Sequence, residues 1–324
     1  MQAFTLTTPS DLEGAIAAAS QAHAKYIAGG TDLLQLAKDD VETPTRLVDL
    51  EPLPMTGIHP SAQGLHLEPL ARMADVAAHP AVVQGWPVLS QALLASASPQ
   101  IRNMATIGGN LLQRTRCGYF RDIGFACNKR QPGSGCPAIN GENRMHAILG
   151  VSDQCIATHP SDMAVAMLVL DATIQVTGQS GVRRIPIGDF HVVPGTTPNI
   201  ETVLQPGEMI TGIDIPASAA AKRSYYLKVR DRASFEFALV SAAVALDFDE
   251  SIIRSARVAA GGVGTKPWRL PEVEAALTGK SADAAALKAA ADQAGAGAKT
   301  ASMNGFKPLL LRRTVLRALQ TVTA

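Results

Sequence analysis

Apolar positions at the start of the chain first keep a helical spacing and then shorten into runs too brief for a helix. Pro9-Ser10-Asp11 supplies a cap and an early acid, and the alanines that follow predict a helix to about Ala22. KYIA at 25–28 predicts a short buried strand, and Gly29-Gly30-Thr31-Asp32 a turn. Leu33, Leu34, Leu36 and Ala37 open a second short helix, and RLVDL at 46–50 is another strand. This β-α-β rhythm predicts a small sheet with helices against it.

From Thr56 the pattern changes. GIHPSAQGLHLEPL predicts strand, turn and strand, followed by helices near 73–79 and 86–97. SPQIRNMATIGGNLL reads as a loop, and an apolar helix spans about Ser161 to Leu170. ATIQVTGQSGVRRIPI predicts a hairpin, and EMITGIDIP a strand ending at Pro216. The small-residue stretch PASAAAKRS then suits a domain boundary. Beyond it, SYYLKV, ALVSAAVALDF and IIRSARVAAGGV predict a three-stranded antiparallel meander, with helices near 271–278, 283–295 and 306–322. Residues 291–302, ADQAGAGAKTAS, are low in complexity and read as a mobile connection. The fold class is α+β, without internal repeats.

A length of 324 residues predicts two or three domains. We place the first over 1–216, with subdomains of about 1–55 and 56–216, and the second over 222–324. With 47% hydrophobic residues, 18% charged residues and a net charge of +1, neither nucleic acid nor an anionic membrane is expected as the main partner. The opening MQAFTLTTPSDLEGAIAAA has no positive n-region and no long apolar span. The expectation is a chain without its own export signal or membrane anchor, either cytoplasmic or exported with a signal-bearing partner.

Two glycine turns carry candidate chemistry: AGGTDL (28–33) and ATIGGNL (105–111). Glycine removes Cβ and allows φ > 0, so main-chain N–H groups can converge on an anion. The first turn also feeds a helix start, where a pyrophosphate is favoured. Thr31, Asp32 and Asn110 could add side-chain hydrogen bonds. Neither turn has a dinucleotide or phosphate-loop fingerprint, and ordinary tight turns would look the same.

The only cysteines, Cys117, Cys127, Cys136 and Cys155, cluster in one stretch with the spacing C-x9-C-x8-C-x18-C. No short zinc knuckle is present. The intervening Gly118, Gly124, Pro132, Gly133, Gly135 and Pro137 suit a wrapping loop. On the residues alone a [4Fe–4S] cluster, a zinc site, two disulfides and buried free thiols all stay open. Arg114, Arg116, Arg121, Lys129, Arg130 and Arg144 surround the thiols. None of the seven histidines forms a metal-binding pair; His146 and His159 flank Cys155. No G-x-S-x-G elbow supports a hydrolase.

KYIAGGTDLL, SPQIRNMATIGGNLL, HPSDMAVAMLVLDATI, KVRDRASFEFALVSAAVAL and GGVGTKPWRL, in this order, resemble the FAD-binding subunit of the molybdenum hydroxylases. The resemblance implies a two-part FAD domain of the vanillyl-alcohol-oxidase (PCMH) type, followed by a C-terminal domain peculiar to that family. It places the backbone of Ile27, Ala28, Gly29, Gly30, Thr31, Asp32 and Leu33 around the FAD pyrophosphate. Thr106, Gly109 and Asn110 would help hold the cofactor, and Leu112 would approach the flavin ring. Ser161 and Asp162 match the family's Ser-Asp pair, although Asp162 also suits a helix start. Lys228 matches a lysine near the isoalloxazine, although a solvated strand-end lysine would look alike.

The stretch 113–160 stands as an insertion where most such subunits run directly into the Ser-Asp segment. It resembles the insertions of 4-hydroxybenzoyl-CoA reductase and, more closely, of bacterial periplasmic aldehyde oxidoreductase, whose flavin subunits carry an extra [4Fe–4S] cluster. The implied ligands are Cys117, Cys127, Cys136 and Cys155. The implied partners are a large molybdenum-cofactor subunit, a small [2Fe–2S] subunit and an external electron acceptor. The expected role is electron transfer in aldehyde oxidation, with no catalytic residue for the substrate on this chain. A reductase-type subunit with electrons flowing the other way, and a non-catalytic zinc- or nucleotide-binding scaffold, are the alternatives.

Overall fold

The computed structural model describes residues 1–324. Its first unit is a parallel three-stranded sheet in the order Thr5–Thr7, Arg46–Asp49, Ala24–Ile27. The helix Leu12–Ala19 packs on it, with the Asp11 carboxylate accepting from the Gly14 N–H at 2.8 Å. This helix stops short of Ala22. The Ser20 hydroxyl donates to the Ile16 carbonyl at 2.8 Å, and His23 takes φ 59°, which a continuing helix does not allow.

The second unit is an antiparallel five-stranded sheet in the order Ile58–Pro60, Gly64–Leu67, Met209–Pro216, Thr173–Gly178, Gly181–Pro186. Helices cover it, among them Asp162–Val169, which is buried along its whole length. The two helices expected over 73–97 are three: Met73–Ala78, Pro80–Gly85 and Pro87–Ala95. Each proline occupies a first helical position, where its missing N–H costs nothing. The expected loop SPQIRNMATIGGNLL is also largely helical, forming Pro99–Met104 and Ile107–Leu111. Ser98 and Thr106 cap these helices, accepting from the N–H groups of Ile101 and Gly109 at 3.3 and 3.2 Å. Caps outweighed the two glycines.

The expected three-stranded meander is present as Ser224–Val229, Val240–Asp249 and Ile252–Gly261, but Trp268–Arg269 adds a short fourth strand at the edge. Val240–Asp249 is buried on both faces. Ala243 and Ala245 join the core of the five-stranded unit, while Val240, Ala242, Val244 and Leu246 face the terminal helices. Small residues on one face let the neighbouring unit approach closely, so the two large units share a continuous apolar interior.

The stretch 113–160 wraps as expected, with only the helical turns Gly118–Arg121 and Pro137–Ile139. Ile148 and Leu149 are buried in the C-terminal core, and both N–H groups donate to the Val263 carbonyl. Residues 291–302 are tied in as well: Ala294 is buried, and the Lys299 N–H donates to the Ile148 carbonyl at 2.8 Å.

Candidate functional site

A cleft of about 1040 Å³ opens between the N-terminal units, near the upper size of ordinary cofactor pockets. Ile27 to Leu33 line it, with Thr106, Gly109, Asn110, Leu112 and Asp162. The N–H groups of Gly29, Gly30, Thr31 and Asp32 donate to no atom of the protein. Gly30 has φ +66°, and a Cβ on Gly29 would lie 1.9 Å from the Met104 carbonyl oxygen. The first glycine turn is thus pressed against the chain leading into the second while presenting unpaired donors to the cleft. That cradle fits a pyrophosphate.

The second turn works differently from the expectation. Ile107 donates to the Ala71 carbonyl, Gly108 to the Pro69 carbonyl and Gly109 to the Thr106 hydroxyl, so its donors are already used. Its contribution to the cleft is shape. Asn110 is buried, accepting from the Ser161 hydroxyl at 2.6 Å, and Ser161 also caps the helix Asp162–Val169.

Asp162 is more than a first-turn acid. One carboxylate oxygen accepts from the Tyr226 hydroxyl at 2.6 Å, and the other from Ser96 at 3.0 Å and Lys228 at 2.7 Å. Burial, then Asp162, push the Tyr226 phenol well above its ordinary range. Lys228 is not a solvated lysine: its side chain is only 3% exposed and sits behind Asp162, donating also to the Ala95 carbonyl. It does not line the cleft. Any influence on a ligand there passes through Asp162.

The four cysteines are free thiols, and all four line one small, mainly apolar cavity. No three His, Cys, Asp or Glu side chains converge closely enough to hold a single metal ion. Burial pushes the Cys117 thiol up to about 12, against the pull of the Phe120 and Tyr119 N–H groups. Burial likewise raises Cys136 and Cys155, opposed by N–H groups of Ile156 and Ala157 respectively. Four sulfurs around one cavity, with backbone donors aimed at them, are a donor set that fits a cluster wider than one ion. His146 Nε2 lies 3.2 Å from Cys117 Sγ. His159 instead stacks edge-on against His191, with ring centroids 4.3 Å apart.

The insertion is joined to the first glycine turn through Asp32. That carboxylate accepts from Arg121 at 2.7 Å, Arg116 at 2.9 Å and the Arg114 N–H at 2.8 Å.

Residues 2–218 match the FAD binding domain in molybdopterin dehydrogenase, and residues 225–322 the CO dehydrogenase flavoprotein C-terminal domain. The chain belongs to the FAD-binding subunits of the molybdenum hydroxylase family.

Within this family, the chain is 48% identical to the aldehyde oxidoreductase FAD-binding subunit PaoB of Escherichia coli (strain K12), over 100% of this chain and 99% of the relative. It is 26% identical to the carbon monoxide dehydrogenase medium chain of Afipia carboxidovorans, over 91% and 88% of the two chains. Solved structures support the fold. Quinoline 2-oxidoreductase from Pseudomonas putida 86 gives a TM-score of 0.77 at 24% identity, covering 99% of this chain and 97% of that one. The Cu,Mo-CO dehydrogenase gives 0.78 at 23%, covering 99% and 98%.

Sequence reasoning missed part of the cleft. Arg232, Phe235 and Phe237 of the C-terminal domain line it too, and Phe235 takes φ +52° while half exposed. They lie inside KVRDRASFEFALV, where four aromatic or cationic residues between two strands, Arg230, Arg232, Phe235 and Phe237, were the available signal.

Proposed function

We propose that this chain is the FAD- and [4Fe–4S]-binding electron-transfer subunit of a molybdenum-dependent aldehyde oxidoreductase. Its partners would be a large molybdenum-cofactor chain and a small [2Fe–2S] chain. The observation that carries the reading is the meeting of Cys117, Cys127, Cys136 and Cys155 on one cavity. The 48% identity to an aldehyde oxidoreductase subunit favours aldehydes as the substrate class.

When bound, the flavin and the cluster would supply the redox chemistry that links the [2Fe–2S] partner to an external acceptor. The chain's own residues bind and orient. Gly29 to Asp32 offer backbone donors to the pyrophosphate, and Asp162, held by Tyr226, Lys228 and Ser96, fixes a buried negative charge on the cleft wall. The cysteines give up their protons as thiolate ligands.

The test is iron, acid-labile sulfide and flavin per chain in protein purified without oxygen, before and after Cys136→Ala. About four iron and four sulfide per FAD, lost in the variant, is the expected result. Flavin without iron or sulfide would sink the cluster and leave the FAD assignment standing.

A further inference from the structure

Five of the six cations in the cysteine insertion are committed away from the thiols. Arg116 and Arg121 pair with Asp32, and Arg114 with Glu42 and Glu201. Arg130 donates to the carbonyls of Tyr119, Phe120 and Phe125, and Arg144 pairs with Asp231 on the surface. Lys129 alone of the six lines the cysteine cavity.

Its ammonium is held in place there. It lies 2.9 Å from a Glu201 carboxylate oxygen and donates to the Pro198 carbonyl at 2.9 Å, with only a tenth of its side chain exposed. Glu201 lines the flavin cleft and is shared with Arg114. One ion pair therefore has its cation on the thiol cavity and its anion on the flavin cleft. Burial pushes the Glu201 carboxyl up, but Arg114 and Lys129 outweigh it and hold it below the ordinary range, so it stays charged.

We propose that Lys129 is a positioning residue that raises the reduction potential of the cluster held by the four cysteines, and that Glu201 both fixes and tempers that charge. This rests on the [4Fe–4S] reading above. A reduced cluster carries one more negative charge than an oxidised one. A fixed cation on its wall, in surroundings of low dielectric, stabilises the reduced form. A carboxylate against the cation offsets part of that effect.

The experiment is an anaerobic redox titration of the assembled enzyme, following the cluster's own EPR signal, with iron and sulfide measured on each sample. Lys129→Met should move the cluster potential negative, Lys129→Arg should leave it near the wild-type value, and Glu201→Gln should move it positive. A full iron content with an unmoved potential in Lys129→Met would overturn the proposal while the cluster reading stands. If Lys129→Met fails to hold iron, Glu201→Gln decides, and an unchanged or negative shift there overturns it. Wild-type enzyme without iron at this site defeats the cluster reading itself.

Discussion

Asp32 Oδ1 accepts from Arg121 Nη2 at 2.7 Å, joining the first glycine turn to the segment that carries the cysteines. Both side chains are 16% exposed, and Arg116 shares the same carboxylate oxygen. A single residue thus joins two regions: it lines the cleft, with its N–H unpaired, while its carboxylate holds the insertion.

Asp32→Ala should therefore reduce flavin and iron together, because it leaves two half-buried guanidinium groups without their anion. Losing one partner of such a pair costs about 3 kcal/mol. Cofactor content per chain and the thermal midpoint check this. Loss of flavin with full iron would show that the two sites are independent.

Gly29→Ala should expel flavin, since its Cβ would meet the Met104 carbonyl oxygen at 1.9 Å and push the two glycine segments apart. Gly85→Ala is the control: nothing lies within 4 Å of a Cβ there, and alanine favours the helix Pro80–Gly85 by up to about 1 kcal/mol. Flavin absorbance per protein, after gel filtration, separates them.

Lys228→Met should destabilise the protein by about 3–5 kcal/mol by leaving Asp162 charged and buried with only neutral donors. Adding Asp162→Asn should recover part of that loss, because the uncompensated charge disappears. A double-mutant cycle in denaturant unfolding measures the coupling. Additive effects would contradict the pairing.

Lys307 offers a pH test. Its buried ammonium donates to the carbonyls of Met145, His146 and Gly262, clamping the insertion to the C-terminal domain. Burial, with Arg144 adding to it, pushes its pKa from 10.5 down to about 7. Between those values the unfolded chain holds a proton that the folded one has released, so this group's contribution to stability grows as pH rises through that window. Relative to Lys307→Met, wild-type stability should gain up to about 1.4 kcal/mol per pH unit there. Thermal midpoints of both proteins at pH 7.5 and 9.5 are the measurement. A parallel pH response in the two would mean that Lys307 stays charged in the folded state.

The sequence by itself determined the local elements, because their causes are local. The cap at Asp11, the apolar run of Val240–Asp249 and the glycines of 28–33 act over a few residues, and each can be read in one window. The order of the quoted segments likewise identified the family, and the glycines and prolines between the cysteines marked a wrapping loop. Where local reading failed, two local rules competed: at Ile107–Leu111 a threonine cap overrode two glycines, and at Pro80–Gly85, where no element was expected, a proline at the first helical position opened an extra helix.

Tertiary structure alone decided what the polar groups touch. Lys228 follows Asp162 by 66 positions, and Lys129 precedes Glu201 by 72, so no local pattern relates them. Asp32 looked like a phosphate-side hydrogen-bonding group, yet its carboxylate turned to arginines brought back by the insertion. Burial sets these partnerships: a charge removed from water must find its counter-ion wherever the chain returns to it, and the return path is fixed by the packing of the whole core.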